Sequence, residues 1–431
     1  MVSDRIFETG YSSQANALVG ELADEPDMRT PPDTEMAVGR PGRSLTLYPG
    51  RAGYELQDEL DFLANRVMEP NVFFTGRFLA PAMPRLEDRQ VRLLLMRDED
   101  ARRSRMRFLM PFSIEKPGFA VGPSVMRVWT HPFGPLGTPL VDAEGAAETL
   151  DNLLEALSRP ESGLPGVLVL PDMRIEGPVT ELLRAVAISR GLPLTFTEAL
   201  SRPMLASEAD GETYLKASIS RHHFNEMARQ RRRLEERGRL SYEVARQPRA
   251  VAAGLEAFLA LEASGWKGRR KSAMTHDRLR AAFAREAVAN LAATDNVRIH
   301  TLTLDHKPIA AIVVFVISGE AYTWKTAYDE DFAAYSPGKL LFARLTEQHL
   351  DDANIERTDS CAVPDHPIAS RLWRERGGIA TMVIGLTPER DRDMRQVARG
   401  LHLYRNTRNL ARILRGKIRA VARRKAARRL S

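Results

Sequence analysis

The sequence predicts an α/β (α+β) fold built twice in tandem, each copy a mixed, mostly antiparallel sheet flanked by helices. Three observations predict it. Apolar periodicity in the first half runs strand, helix, three strands, helix, strand, helix, strand. The same order returns after about 170 residues with little identity, the mark of a duplicated unit. A length of 431 residues also exceeds what one hydrophobic core organises, so two domains are expected.

Residues 1–44, with DEPDMRTPPDTE, show little periodicity and are expected to be disordered. The first half, 45–205, opens on the strand SLTLYPG. In YELQDELDFLANRV, Leu56, Leu60, Leu63 and Val67 share a helical face. VRLLLMRDED and RMRFLMPFSIE read as a hairpin, and VMRVWTHPFGPLGTPLVD as a strand entering a Gly/Pro loop. GAAETLDNLLEAL is a helix, GVLVLPD a buried strand, VTELLRAVAISRG a helix ending at Gly191, and PLTFTEAL a strand. The second half, 206–390, opens on one long helix, Tyr214 to a C-cap at Gly238. The strand LSYEVAR, two helices, the hairpin VRIHTLTLD/KPIAAIVVFVISG and the strand EAYTWKTAYDE follow. The helix KLLFARLTEQHLDDA, the strand RTDSCAV, the helix HPIASRLWRERG and the strand IATMVIGL complete it. Residues 391–431 read as a basic helical tail.

Charge narrows the function classes. The net charge is +7, but Arg399–Ser431 holds 12 Lys or Arg and no acid, which leaves the remainder at −5. Nucleic acid is therefore not an expected partner of the body. In the tail, Leu410, Ile413, Leu414, Ile418 and Val421 recur at helical spacing opposite Arg and Lys. That pattern suits an anionic membrane surface, with nucleic acid as the competing partner; packing on the body is the structural alternative. No apolar stretch is long enough to span a bilayer, and the N-terminus carries no apolar leader. Cys361 is the only cysteine, so neither a disulfide framework nor a cysteine metal site is expected. These features fit the cytoplasm, with peripheral association at the inner membrane through the tail.

The most informative stretch is AYDE (327–330) followed by YSPGK (335–339), joining a strand to a helix. Helix N-termini leave N–H groups unpaired and favour anions. Ser336, Pro337, Gly338, Lys339 and Leu340 are the expected pyrophosphate loop, though an ordinary Ser-Pro helix start has the same appearance. Together with LEASGWKG (261–268), Asp359-Ser360-Cys361, His366 and LWRER (372–376), this pattern resembles the cellulose-biosynthesis (CelD/BcsL-like) acetyltransferase family of the GNAT superfamily. Asn71-Val72-Phe73-Phe74 and LGTPLVD (136–142) match it in the first half. The resemblance spans about 45–390 and is strongest over 214–385; the paired plan also looks like that of the FemAB aminoacyltransferases.

That resemblance implies acyl-CoA as co-substrate, no metal, and direct attack by an amine of a small-molecule, sugar, lipid-precursor or peptide acceptor on the thioester. A backbone N–H of the strand Tyr322–Thr326 would stabilise the oxyanion. Asp329 or Glu330 is a candidate base, or an exposed turn acid. Tyr335 is a candidate acid for the leaving sulfur, or a packing ring. Lys325, a charge amid apolar residues, is expected to pair with Asp359 and line the acceptor site, or to pair for structure alone. His366 is a loop base or an exposed histidine. Trp266, Lys267 and Tyr328 are expected to wall the acceptor pocket. Arg229, Arg231, Arg232, Arg233, Arg237 and Arg239 form a solvated helix face or meet the donor's phosphates. Proline in the loop Pro132–Gly137 marks the first half as scaffold. Two alternatives stay open: a FemAB-like transferase drawing on aminoacyl-tRNA, and an inactive GNAT-like scaffold.

Overall fold

The computed structural model describes residues 30–86, 90–100, 103–118 and 122–407. In chain order the first half contains β1 (Thr34–Ala37), β2 (Arg43–Pro49), α1 (Gln57–Ala64), α2 (Gly76–Leu86), β3 (Arg92–Asp100), β4 (Arg103–Glu115), β5 (Val125–Val128), β6 (Leu140–Val141), α3 (Ala146–Ser158), β7 (Val167–Arg174), α4 (Pro178–Ser189) and β8 (Leu194–Leu205). The second contains α5 (Gly211–Ser218), α6 (Arg221–Glu235), β9 (Leu240–Ala245), α7 (Pro248–Ser264), α8 (Trp266–Arg269), α9 (Arg278–Ala292), β10 (Val297–Leu304), β11 (Lys307–Ile317), β12 (Glu320–Tyr328), α10 (Pro337–Asp351), β13 (Arg357–Asp359), α11 (Ala369–Leu372) and β14 (Arg376–Gly385). A further helix, α12, covers 391–407.

Among the described residues the strands form one sheet in the order β1-β2-β3-β4-β5-β7-β14-β8-β13-β12-β11-β10-β9, with β6 on β4. The pairs β5–β7 and β12–β13 are parallel and occupy equivalent places in the two halves. Each half gives its last strand to the other. β14 pairs with β7 of the first half, while β8 pairs with β13 of the second. The described residues from Pro32 onward accordingly belong to one compact unit, and the boundary expected at 205/206 falls at the end of a strand bonded into the other half.

Charge fixes this junction. Arg174 of β7 pairs with Glu69 (3.2 Å), Glu320 and Asp359 (3.5 Å), and Arg202 of β8 pairs with Asp359 (3.1 Å). Arg357 completes the set on Glu320 (2.9 Å). Such buried pairs are individually weak stabilisers but punish loss of one member.

Several local readings change. The segment expected to be disordered contains β1, which pairs with β2. Helix α2, which the sequence reading did not include, carries Pro81 and Pro84 within it. The long helix from Tyr214 is two helices, divided where the Ser220 hydroxyl accepts the His223 N–H and caps α6. The helix expected over 366–377 is a single turn, because Arg376 already belongs to β14. In α12, Met394, Val397, Ala398 and Leu401 pack on Val125, Val167, Val169 and Val383. The tail thus begins as part of the body; its apolar stripe from Leu410 lies outside the described residues. No helix among the described residues is long and apolar enough to cross a membrane.

Candidate active site

Strands β12 and β13 stay paired only from Glu320–Tyr322 to Arg357–Asp359, after which β12 continues to Tyr328 with β11 as its partner. Within that portion the register with β11 slips: Val313 faces Lys325 and Val314 faces Thr323, so Trp324 is the extra residue of a bulge. A bulge interrupts the ladder and re-aims side chains. Trp324 donates its indole N–H to the Phe133 carbonyl (2.7 Å), and Lys325 Nζ lies 3.5 Å from the Pro132 carbonyl. The loop of the first half that corresponds to the Ser-Pro-Gly loop of the second therefore forms a wall of this site. Arg202 secures it through the Pro135 carbonyl (2.9 Å).

Lys325 does not pair with Asp359. The β12–β13 register sets Asp359 level with Tyr322, three residues back along β12, or about 10 Å. Asp359 is fully buried with Arg202 and Arg174; burial raises its pKa, but the two arginines outweigh burial and hold it below the usual range. Lys325 instead sits beside Lys267, and burial first, then Lys267, pulls its pKa down to about 8. Lys267 is held by the buried Glu262 (2.7 Å), whose other oxygen takes the Met274 N–H (2.8 Å). Trp266, Lys267 and Tyr328 do come together: they line a small cavity of about 40 Å³ with Glu262, Thr326 and Glu330. Glu330 closes it by accepting the Trp266 N–H (2.7 Å) and pairing with Arg269.

The loop after β12 has one face to each half of the constellation. Asp329 pairs with Lys307 (3.1 Å) and caps the turn through the Asp331 N–H (3.1 Å). The Tyr335 hydroxyl accepts from Arg237 (2.9 Å), and the Arg233 guanidinium lies 5.0 Å from the Tyr335 ring centroid. Ser336 stands in the left-handed region (φ 51°), its hydroxyl accepting from Gln230 (3.3 Å). Its carbonyl takes the N–H groups of Lys339 (2.9 Å) and Leu340 (3.1 Å), and Pro337 has none to give. Of this turn, Gly338 keeps the N–H that no hydrogen bond of the described residues uses. A Cβ on Gly338 would meet the Tyr328 ring at 3.5 Å and Ile368 at 3.7 Å, so this glycine faces the interior rather than an open cradle. What the turn offers an anion is one N–H, the helix dipole and the charges of Lys339, Arg233 and Arg237. Those residues fit a phosphate gripped by side chains more than one cradled by backbone.

His366 is not a free loop histidine. Its Nδ1 accepts the Ala369 N–H (3.1 Å), capping α11, and burial lowers its pKa. Burial, then Asp359, raises the Cys361 thiol well above its ordinary value, which leaves it a thiol and not a nucleophile. Phe133, Glu262, Arg280 and Gln230 escaped the sequence reading. Glu262 had a signal, an acid within the apolar stretch AFLALEA (257–263), five residues before Lys267; Phe133 had none, since only the contact between halves reveals it.

Residues 221–362 match the family described as "Acetyltransferase (GNAT) domain", a segment running from α6 through β13. No curated protein sequence matches the chain. Among solved structures, FemX is similar at 10% identity over 77% of this chain and 96% of that one, with a TM-score of 0.51. A conserved protein of unknown function from Bacteroides thetaiotaomicron is similar at 11% identity over 77% and 96% (TM-score 0.48). A tandem GNAT protein from the clavulanic acid biosynthesis pathway is similar at 12% over 80% and 99% (TM-score 0.37). At such identities these likenesses concern fold. Within a mixed, mostly antiparallel sheet flanked by helices, residues 221–362 of the second half match a GNAT acetyltransferase domain.

Proposed function

We propose that the chain is an N-acyltransferase that moves an acyl group from acyl-CoA to an amine. The observation that carries this reading is the GNAT match over 221–362, because it includes the bulged β12, the loop 329–336 and the start of α10. The donor's phosphates meet Gly338 N–H, Lys339, Arg233 and Arg237, and its thioester lies along Trp324–Thr326. The acceptor nitrogen attacks the thioester carbonyl; the C–N bond forms, the C–S bond breaks, and the amine's proton passes to solvent. A backbone N–H freed at the bulge stabilises the oxyanion, an effect worth about 3 kcal/mol. Tyr335 protonates the departing thiolate. Expected on this reading is a fall of about 100-fold in kcat for Tyr335→Phe with donor KM nearly unchanged, measured with acetyl-CoA and an amine acceptor. An unaltered kcat removes Tyr335 from the mechanism, and an absence of acetyl-CoA binding by calorimetry removes the donor.

A second donor is favoured by one specific observation. In the turn Ser336–Leu340 a single free N–H, that of Gly338, remains among the described residues, whereas the arginine-rich α6 and Arg237 lie against Tyr335 and Ser336. That balance also suits aminoacyl-tRNA, as does the likeness of fold to FemX. Binding of charged tRNA by a chain ending at Thr407, without acetyl-CoA binding, would select it. The same truncation tests the tail. The residues beyond 407 are proposed to bring the enzyme to the cytoplasmic face of an anionic membrane, each basic residue adding about 1 kcal/mol at most. Vesicle flotation at low salt is expected from the full chain and not from the chain ending at Thr407. Equal flotation of the two discards the membrane proposal. Cutting earlier, near Thr387, would remove the packing of Met394 and Leu401 and confuse binding with folding.

A further inference from the structure

Against Phe133 and Trp324 stands a positive charge that no carboxylate of the described residues pairs with. Lys325 Nζ lies 4.5 Å from the centroid of the Phe133 ring and 6.0 Å from that of Trp324, and the Arg280 guanidinium approaches the same Phe133 ring at 6.0 Å. Each neighbouring carboxylate is already engaged. Glu262 is shared between Lys267 and the Met274 N–H, and Asp277 holds Arg280 at the rim (3.2 Å). Among the described residues no carboxylate lies within ion-pair distance of Lys325; its polar contact is the Pro132 carbonyl at 3.5 Å, beyond a good hydrogen bond. His131, buried beneath, is held neutral by burial first and then by Lys325, with its pKa driven to about 3. Cys361 is an uncharged thiol. Lys325 keeps part of its surface while protein rings it on nearly every other side.

An ammonium in such surroundings is unfavourable until an anion joins it. Aromatic faces help a cation there but leave its hydrogen-bond donors unused. We infer that the acceptor enters between the loop Pro132–Leu136 and β12 bearing an anionic group, a carboxylate or a phosphate, that pairs with Lys325. The substrate class is thus an amine that also carries an acid, not a neutral amine. This assignment rests on the acyltransferase reading for the word acceptor, but the anion site itself does not.

The test needs no acyl donor, so it stands or falls apart from transfer. The Lys325 side-chain resonance, identified by its loss in Lys325→Met, is followed by NMR against pH in the full chain. Titrations are run in chloride, with acetate, and with inorganic phosphate at equal ionic strength. Without a binding anion the midpoint is expected near 8; with the right anion it should rise by about one unit, since the charged form then binds about ten times tighter. A rise with acetate alone identifies a carboxylate-bearing acceptor, and a rise with phosphate alone a phosphate-bearing one. An unchanged midpoint with both, or an equal change in chloride, overturns the inference. If Lys325→Met fails to fold, Lys325→Arg serves for assignment and must keep phosphate or acetate binding by calorimetry; loss of both in that folded variant also overturns it.

Discussion

Replacing Asp359 by Ala is expected to destabilise the chain by about 3–5 kcal/mol, among the largest losses of any single polar substitution here. Asp359 has no exposed surface, and it answers Arg202 at 3.1 Å, Arg174 at 3.5 Å and the Cys361 N–H at 2.7 Å. Without it Arg202 keeps only the Pro135 carbonyl, and its charge stays buried. Arg202 also anchors the loop that walls the site, so donor-independent packing and site geometry should fail together. Urea unfolding at pH 7 measures the loss. A fall under 1 kcal/mol, with the loop undisturbed, would show that water or a neighbouring carboxylate replaces Asp359 and that the junction is not fixed by this pair.

The second large effect is on acid stability. His300 of β10 and His349 of α10 are buried edge to face with ring centroids 5.4 Å apart. Tyr242 meets His300 Nδ1 at 2.5 Å and Thr358 meets His349 Nδ1 at 2.9 Å, while neither Nε2 has a partner among the described residues. Burial depresses both; His349 falls to about 4, and His300 lies well below its ordinary value, with each other and Arg298 adding to the effect on His300. A histidine whose folded pKa is lowered binds its proton more readily unfolded. Its contribution to stability is therefore whole above about pH 6.5 and disappears as pH falls toward the folded value. By pH 4 His349 alone accounts for about 3 kcal/mol, and His300 and His131 act in the same direction. Stability should thus decline between pH 6.5 and 4, before the carboxylates that arginines hold low, Asp98 and Asp359, titrate. His349→Gln is expected to flatten that decline in urea midpoints taken across the range. An identical slope in wild type and variant would mean that other groups control acid unfolding.

The duplicated fold was legible because its strands are continuous apolar runs. Ile309 to Phe315 in β11 is buried throughout, as a strand covered on both faces must be. The exchange of β8 and β14 was not legible, since PLTFTEAL and IATMVIGL announce strands without naming their partners. The site divides in the same way. Trp266, Lys267 and Tyr328 were findable, being near one another in a local strand–loop–helix pattern. Lys325 was recognised as an anomalous charge, but its partner was misassigned: that Asp359 ends the next strand says nothing of a register that leaves the two about 10 Å apart. His366 was read as free because a ring nitrogen that accepts a backbone N–H has no sequence signature beyond the helix that follows. Phe133 depends on a contact from the other half, which no local pattern encodes.

The strand exchange also orders events during synthesis. A ribosome releases Val167–Arg174 long before Arg376–Gly385, the strand that must lie beside it. Until then the growing chain holds an unfilled slot between two finished strands, with a row of unpaired N–H and C=O groups on either side. Such a slot accepts any extended peptide, including the same strand of another nascent chain, and that invites swapped or aggregated products. Closure depends on contacts remote in sequence, which slows the final step. The two copies of the fold are therefore tandem in their residues but not in time: neither is complete until the last strand arrives, and one event closes both.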